Sequence, residues 1–123
     1  MGTFLFTLWP FPGHVHPLVA IALALRTRGH EVAFYTGQKA AATLASEGLE
    51  HFPFRSVNEA SIDRLMFSQD EVPSLLKRPL RMIALYRKWL LDTVPGQVRD
   101  LDDILSRRRV DVVVTDPTFW GPL

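Results

Sequence analysis

Strand-like and helix-like runs alternate along this chain at short spacing, and that alternation limits its fold more than any single residue does. Thr3 to Leu8 is an apolar run suited to a strand buried on both faces. Pro10, Pro12 and Gly13 interrupt it, and Pro17 suits the first turn of a helix, where its missing N–H costs nothing. Leu18, Ile21, Ala22 and Leu25 then recur at helical spacing, and Gly29 stands where a helix ends. Glu31 to Thr36 reads as a second strand. An alanine-rich helix through Glu47 follows, closed by Gly48, and then a third strand from Glu50 to Phe54. Pro53 marks that third strand as an edge. This β-α-β-α-β order predicts an α/β fold, a Rossmann-like parallel sheet with flanking helices and right-handed crossovers.

Beyond Phe54 the pattern loosens. A short helix is expected from Ile62 to Phe67, and helical spacing returns from Leu80 to Val94. Pro95 and Gly96 are expected to break or kink it before Val98, Leu101, Ile104 and Leu105 resume the stripe. Arg107, Arg108 and Arg109 complement a helix C-terminus. Val110 to Thr115 is a fourth strand-like run, stopped by Asp116 and Pro117. The ending "DPTFWGPL" reads as a loop entering a helix, so the chain is expected to be a truncated domain spanning residues 1–123.

Composition narrows the function. A 123-residue chain that is 47% hydrophobic can bury one core. A net charge of +1 offers no electrostatic case for nucleic acid or an anionic membrane. The absence of cysteine excludes disulfides and thiolate zinc sites. The N-terminal run lacks the basic flank of a secretory signal, and no stretch has the length of a membrane span, so a cytoplasmic location is expected.

In open α/β sheets, ligands bind beyond the carboxyl ends of the strands, where strand order reverses. With the doubly wound order 3-2-1-4, the reversal falls between the first and fourth strands. His14 follows one and Asp116 the other. Neighbouring strands lie about 5 Å apart, so an imidazole and a carboxylate on those loops can meet. A helix start after His14 favours the neutral ring, able to accept a proton. Asp116 would orient that ring and stabilise the imidazolium as it forms. Gly13 would let backbone approach a ligand, with nearby N–H groups facing phosphate. His14-x-His16 has no third ligand at useful spacing, so no metal is expected. The dinucleotide fingerprint G-x-G-x-x-G is absent.

The stretch "PFPGHVHPLVAIALALRTRGHEVAFYTG", together with "RRRVDVVVTDPTFWGP", resembles the family-1 glycosyltransferases of the GT-B fold, in particular the bacterial group that glycosylates macrolides and other natural products. The resemblance spans nearly the whole chain. It implies the acceptor-side, N-terminal domain of an inverting glycosyltransferase without its C-terminal donor-binding domain. It implies His14 as general base and Asp116 as its partner. It implies no cofactor beyond a nucleotide-sugar co-substrate, UDP- or dTDP-linked, and no metal at the site. A hydrophobic, hydroxyl-bearing small molecule is the implied acceptor, and a separate donor-domain chain is a conceivable partner. The segment from Val57 to Val94 corresponds to the family's acceptor-pocket region, so Met66, Phe67, Met82, Ile83, Tyr86 and Trp89 are candidate contacts, with Pro12, Phe119 and Trp120 beside the catalytic loops. At helical spacing such residues are more often core. His16 departs from the family pattern, which has asparagine there. Two other readings stand: a non-catalytic acceptor-binding or interaction fragment, and a flavodoxin-like nucleotide binder, in which the fourth strand would lie away from the first.

Overall fold

The computed structural model describes residues 1–67 and 78–123. Four strands, β1 (Thr3–Thr7), β2 (Glu31–Thr36), β3 (Glu50–Pro53) and β4 (Val112–Thr115), form one parallel sheet in the order β3-β2-β1-β4. This is the expected order. It puts β4 directly beside β1, with Thr7 opposite Thr115, and removes the flavodoxin-like alternative. Helix α1 (Pro12–Thr27) crosses from β1 to β2. A 3-10 turn (Gln38–Ala40) leads into α2 (Ala41–Ser46), which returns the chain to β3. Helix α3 (Glu59–Phe67) follows. Helix α4 (Pro79–Tyr86) runs into a π-helical turn (Arg87–Leu91), and α5 (Val94–Arg107) leads to β4.

Side chains alternate across the central strands, and this divides the core in two. Phe6, Phe34 and Val32 face α1 and α2, where they meet Val15, Val19, Ala22 and Leu44. Leu5, Ala33 and Tyr35 face the other way, against Leu101 and Ile104 of α5, with Trp9, Trp89 and Phe119 closing the end of that layer. Both faces of β1 and β2 are thus covered, which is why their sequences carry no polar alternation.

Two helix boundaries differ from the sequence expectation. Helix α1 starts at Pro12, not Pro17, so Gly13, His14 and His16 lie in its first turns and not in a loop. The Phe11 carbonyl accepts the N–H groups of His14 and Val15, both at 2.9 Å. Pro12 takes the first helical position, where a fixed φ is an advantage. Pro17 is tolerated because the only bond it forfeits is near the open end, to the Gly13 carbonyl. Pro95 and Gly96 likewise do not break a helix. They form the first turn of α5, and the interruption falls earlier, at Asp92 and Thr93, between the π-helical turn and α5.

Candidate active site

The sheet's register builds the site. The Asp116 N–H donates to the Thr7 carbonyl at 3.0 Å, which extends the β1–β4 ladder and pins Asp116 over the end of β1. Helix α1 begins just beyond the same end and presents His14 in its first turn. The His14 Nδ1 and Asp116 Oδ2 atoms are in direct hydrogen-bond contact, although the residues are 102 positions apart. Against an ionised carboxylate, Nδ1 must carry the proton of this bond. In the neutral ring Nε2 then carries the lone pair, and it makes no hydrogen bond among the described residues. Burial differs within the pair. The His14 side chain is 28% exposed and Asp116 7%, so the ring is accessible and its orienting group is not. The Phe11 ring packs edge-on against His14 at 5.8 Å and limits its other side.

Burial pushes the Asp116 carboxyl upward, but hydrogen bonds from His14 and from the Thr118 N–H and hydroxyl outweigh it and hold the group below the usual carboxylate range. The site therefore keeps a fixed negative charge behind the imidazole. Such a charge stabilises an imidazolium formed by proton uptake at Nε2.

A Cβ placed on Gly13 meets nothing within 4 Å, so the missing side chain serves no packing purpose inside this chain. Pro12 is exposed beside it. Tyr86 and Trp120 come together with Ile83, Arg87, Leu90 and Leu91 around an open apolar cavity of about 310 Å³. Met66 and Met82 are half-buried, Met66 against the core. The Phe67 side chain lies outside the described residues, as does the part of the expected acceptor region at 68–77. Phe119, expected on an acceptor wall, is fully buried instead: it stacks on Phe54 and meets Trp9 and Tyr35 edge-on. Trp89 is likewise a core residue. Among the described residues, no three His, Cys, Asp or Glu side chains gather as metal ligands would.

Two parts of the site escaped sequence reasoning. Thr118 donates twice to Asp116 Oδ1, and the Trp9 indole N–H donates to the Thr118 carbonyl at 2.9 Å. The first could have been read from "DPT", since an aspartate accepts readily from the residue two places on. The second joins residues 109 apart and has no local signal.

Fold and geometry together define a doubly wound α/β unit with an imidazole–carboxylate pair at the joint end of two adjacent strands. Similarity to known proteins gives that class a family. The chain is 34% identical over 114 residues to 4'-demethylrebeccamycin synthase of Lentzea aerocolonigenes, covering 91% of this chain and 26% of the relative. It is 30% identical over 127 residues to demethyllactenocin mycarosyltransferase of Streptomyces fradiae, covering 100% of this chain and again 26% of the relative. Among solved structures, the calicheamicin glycosyltransferase CalG4 superposes with a TM-score of 0.69 at 22% identity, over 96% of this chain and 27% of that one. No protein-family model matches. The chain is therefore related to the natural-product glycosyltransferases of the GT-B fold, as its motifs implied, and it spans about a quarter of the length of the relatives it matches. No helix among the described residues is long and apolar enough to cross a membrane.

Proposed function

We propose that this chain supplies the acceptor side of an inverting glycosyltransferase, with His14 as general base and Asp116 as its orienting partner. The observation that carries the reading is the contact between His14 Nδ1 and Asp116 Oδ2 at the joint end of β1 and β4. Nε2 of His14 removes the proton of an acceptor hydroxyl. The oxygen attacks the anomeric carbon of a nucleotide-sugar from the face opposite the leaving group. The nucleoside diphosphate departs with the bonding electrons, and the sugar inverts. Asp116 compensates the positive charge that develops on the ring. The exposed N-terminal turn of α1 at Gly13 suits the approach of donor phosphate, since its N–H groups and helix dipole favour an anion. The cavity beside Tyr86 and Trp120 suits the apolar body of a small-molecule acceptor, and Pro12, exposed beside Gly13, is a further acceptor contact. Met66 and Met82, both half-buried, are further candidates for the proposed acceptor side.

The test uses a protein in which this chain is joined to, or reconstituted with, a donor-binding domain. Replacing His14 with Ala is expected to lower kcat about 10²- to 10⁴-fold, the usual contribution of a positioned base, with an unchanged circular dichroism spectrum. Turnover near the wild-type rate would remove His14 from the mechanism. A second reading is acceptor binding without transfer, for which the apolar cavity beside Tyr86 and Trp120 suffices. Transfer of sugar to an aglycone by the purified 123-residue chain alone would overturn that second reading.

A further inference from the structure

The geometry points to Thr118 as the positioning residue of the His14–Asp116 pair, acting through its hydroxyl. The inference rests on the proposed role of His14 as base. A carboxylate attached by a single bond can rotate, and rotation of Asp116 would withdraw Oδ2 from His14. Oδ1 opposes that rotation because it receives two donors from one residue, the Thr118 N–H at 2.8 Å and the Thr118 hydroxyl at 2.7 Å. The N–H bond is available to whatever residue stands at 118, whereas the hydroxyl bond requires Thr or Ser.

Thr118 is itself held. Its carbonyl accepts the indole N–H of Trp9, a side chain with no exposed surface. Trp9 lies in the same β1–α1 connection that leads into His14. The hydrogen bonds therefore close a ring: the connection carries His14, His14 binds Asp116, Asp116 is gripped by Thr118, and Thr118 is tied back to the connection through Trp9. Displacing one member moves the others, so the carboxylate is registered against the imidazole from both sides of the crevice. A small misplacement of a reacting group costs much of the rate, which is how a residue that touches no substrate sets kcat.

Thr118→Val keeps the branched shape and the N–H bond and removes only the hydroxyl bond. In the protein joined to a donor-binding domain, it is expected to lower kcat about tenfold to a hundredfold, with the acceptor KM within about twofold. Thr118→Ser restores the donor and is expected to stay close to the wild-type rate. On the 123-residue chain itself, nitrogen chemical shifts of the His14 ring provide a readout independent of turnover. They are expected to show the Nδ1-protonated tautomer in wild type and Thr118→Ser, and mixed tautomers in Thr118→Val. Should the valine variant not fold, Thr118→Ala serves in its place. Two results overturn the inference: an unchanged kcat and tautomer in Thr118→Val, or a Thr118→Ser variant as impaired as the valine one. His14→Ala is the control that separates the two ideas. If it keeps full turnover, the base assignment itself is wrong; if it abolishes turnover while Thr118→Val does not reduce it, only the role of Thr118 is lost.

Discussion

Asp100 is, with Asp116, a buried carboxylate among the described residues, and its work is structural. It accepts the Tyr35 hydroxyl at 2.7 Å and the N–H groups of Arg55 and Ser56 at 3.0 Å, joining β2 and the segment after β3 to α5. Burial raises its carboxyl, but these bonds outweigh that cost and leave it below its ordinary value. Burial, then the bond to Asp100, pushes the Tyr35 phenol well above its own. Tyr35→Phe should cost about 1–2 kcal/mol and Asp100→Ala about 3 kcal/mol or more, the latter because three donors lose their acceptor; urea denaturation measures both. The sign of the pH effect follows from the direction of the shifts. Asp100 and Asp116 are both depressed in the folded state, so below about pH 4 the unfolded chain binds more protons than the folded one. Their stabilisation is complete above that pH and is lost as pH falls through the lowered folded values. Asp100→Asn should therefore flatten the acid limb of the stability curve; a limb as steep as wild type would refute the assignment. None of this network was legible in the sequence. Tyr35 and Asp100 are 65 positions apart, and each looks ordinary where it stands. His14 and Asp116 were legible only because strand order brings their two positions together.

At the scale of elements, periodicity located each of the four described strands and the described helical stretches, while proline misled about where helices begin. A proline within an apolar periodic run reads as a break, but the same residue at the first or second helical position is a start. The two cases differ by a few residues that the pattern does not resolve. Gly96 in α5 shows what tertiary contact adds. A Cβ there would lie 2.3 Å from the Ser56 carbonyl oxygen, so the helix is packed directly on the backbone that follows β3. Gly96→Ala raises intrinsic helix propensity by about 1 kcal/mol, yet it should lower stability by about 2 kcal/mol, because backbone on both sides must separate. Thermal melts compared with an exposed alanine substitution elsewhere in α5 would separate the two effects. Phe119 was misjudged for a related reason: its place three residues after Asp116 suggested a wall of the pocket, and only the packing against Trp9, Tyr35 and Phe54 assigns it to the core.

At the scale of the whole molecule, the sheet has a well-covered centre and an exposed apolar edge at β4. Among the described residues no strand pairs with the outer edge of β4, where Val112 and Val113 are 42% and 39% exposed. Unpaired apolar edges template association. The 123-residue chain on its own should self-associate with rising concentration, and Val113→Lys should shift it toward monomer; sedimentation velocity distinguishes the outcomes, and a wild-type monomer at high concentration would contradict the prediction. The order of the strands has a further consequence, one of timing. β1 is made first but acquires its second neighbour last, because β4 follows the whole helical stretch beyond β3 that contains α3, α4 and α5. While the chain is being synthesised, Phe4, Leu5 and Phe6 must wait with one flank open until residues 112–115 have emerged. The pairing of Thr7 with Thr115 that ends this wait is the same event that delivers Asp116 to His14. Covering of the second flank of β1 and assembly of the proposed reactive pair are thus a single step in the growth of the chain.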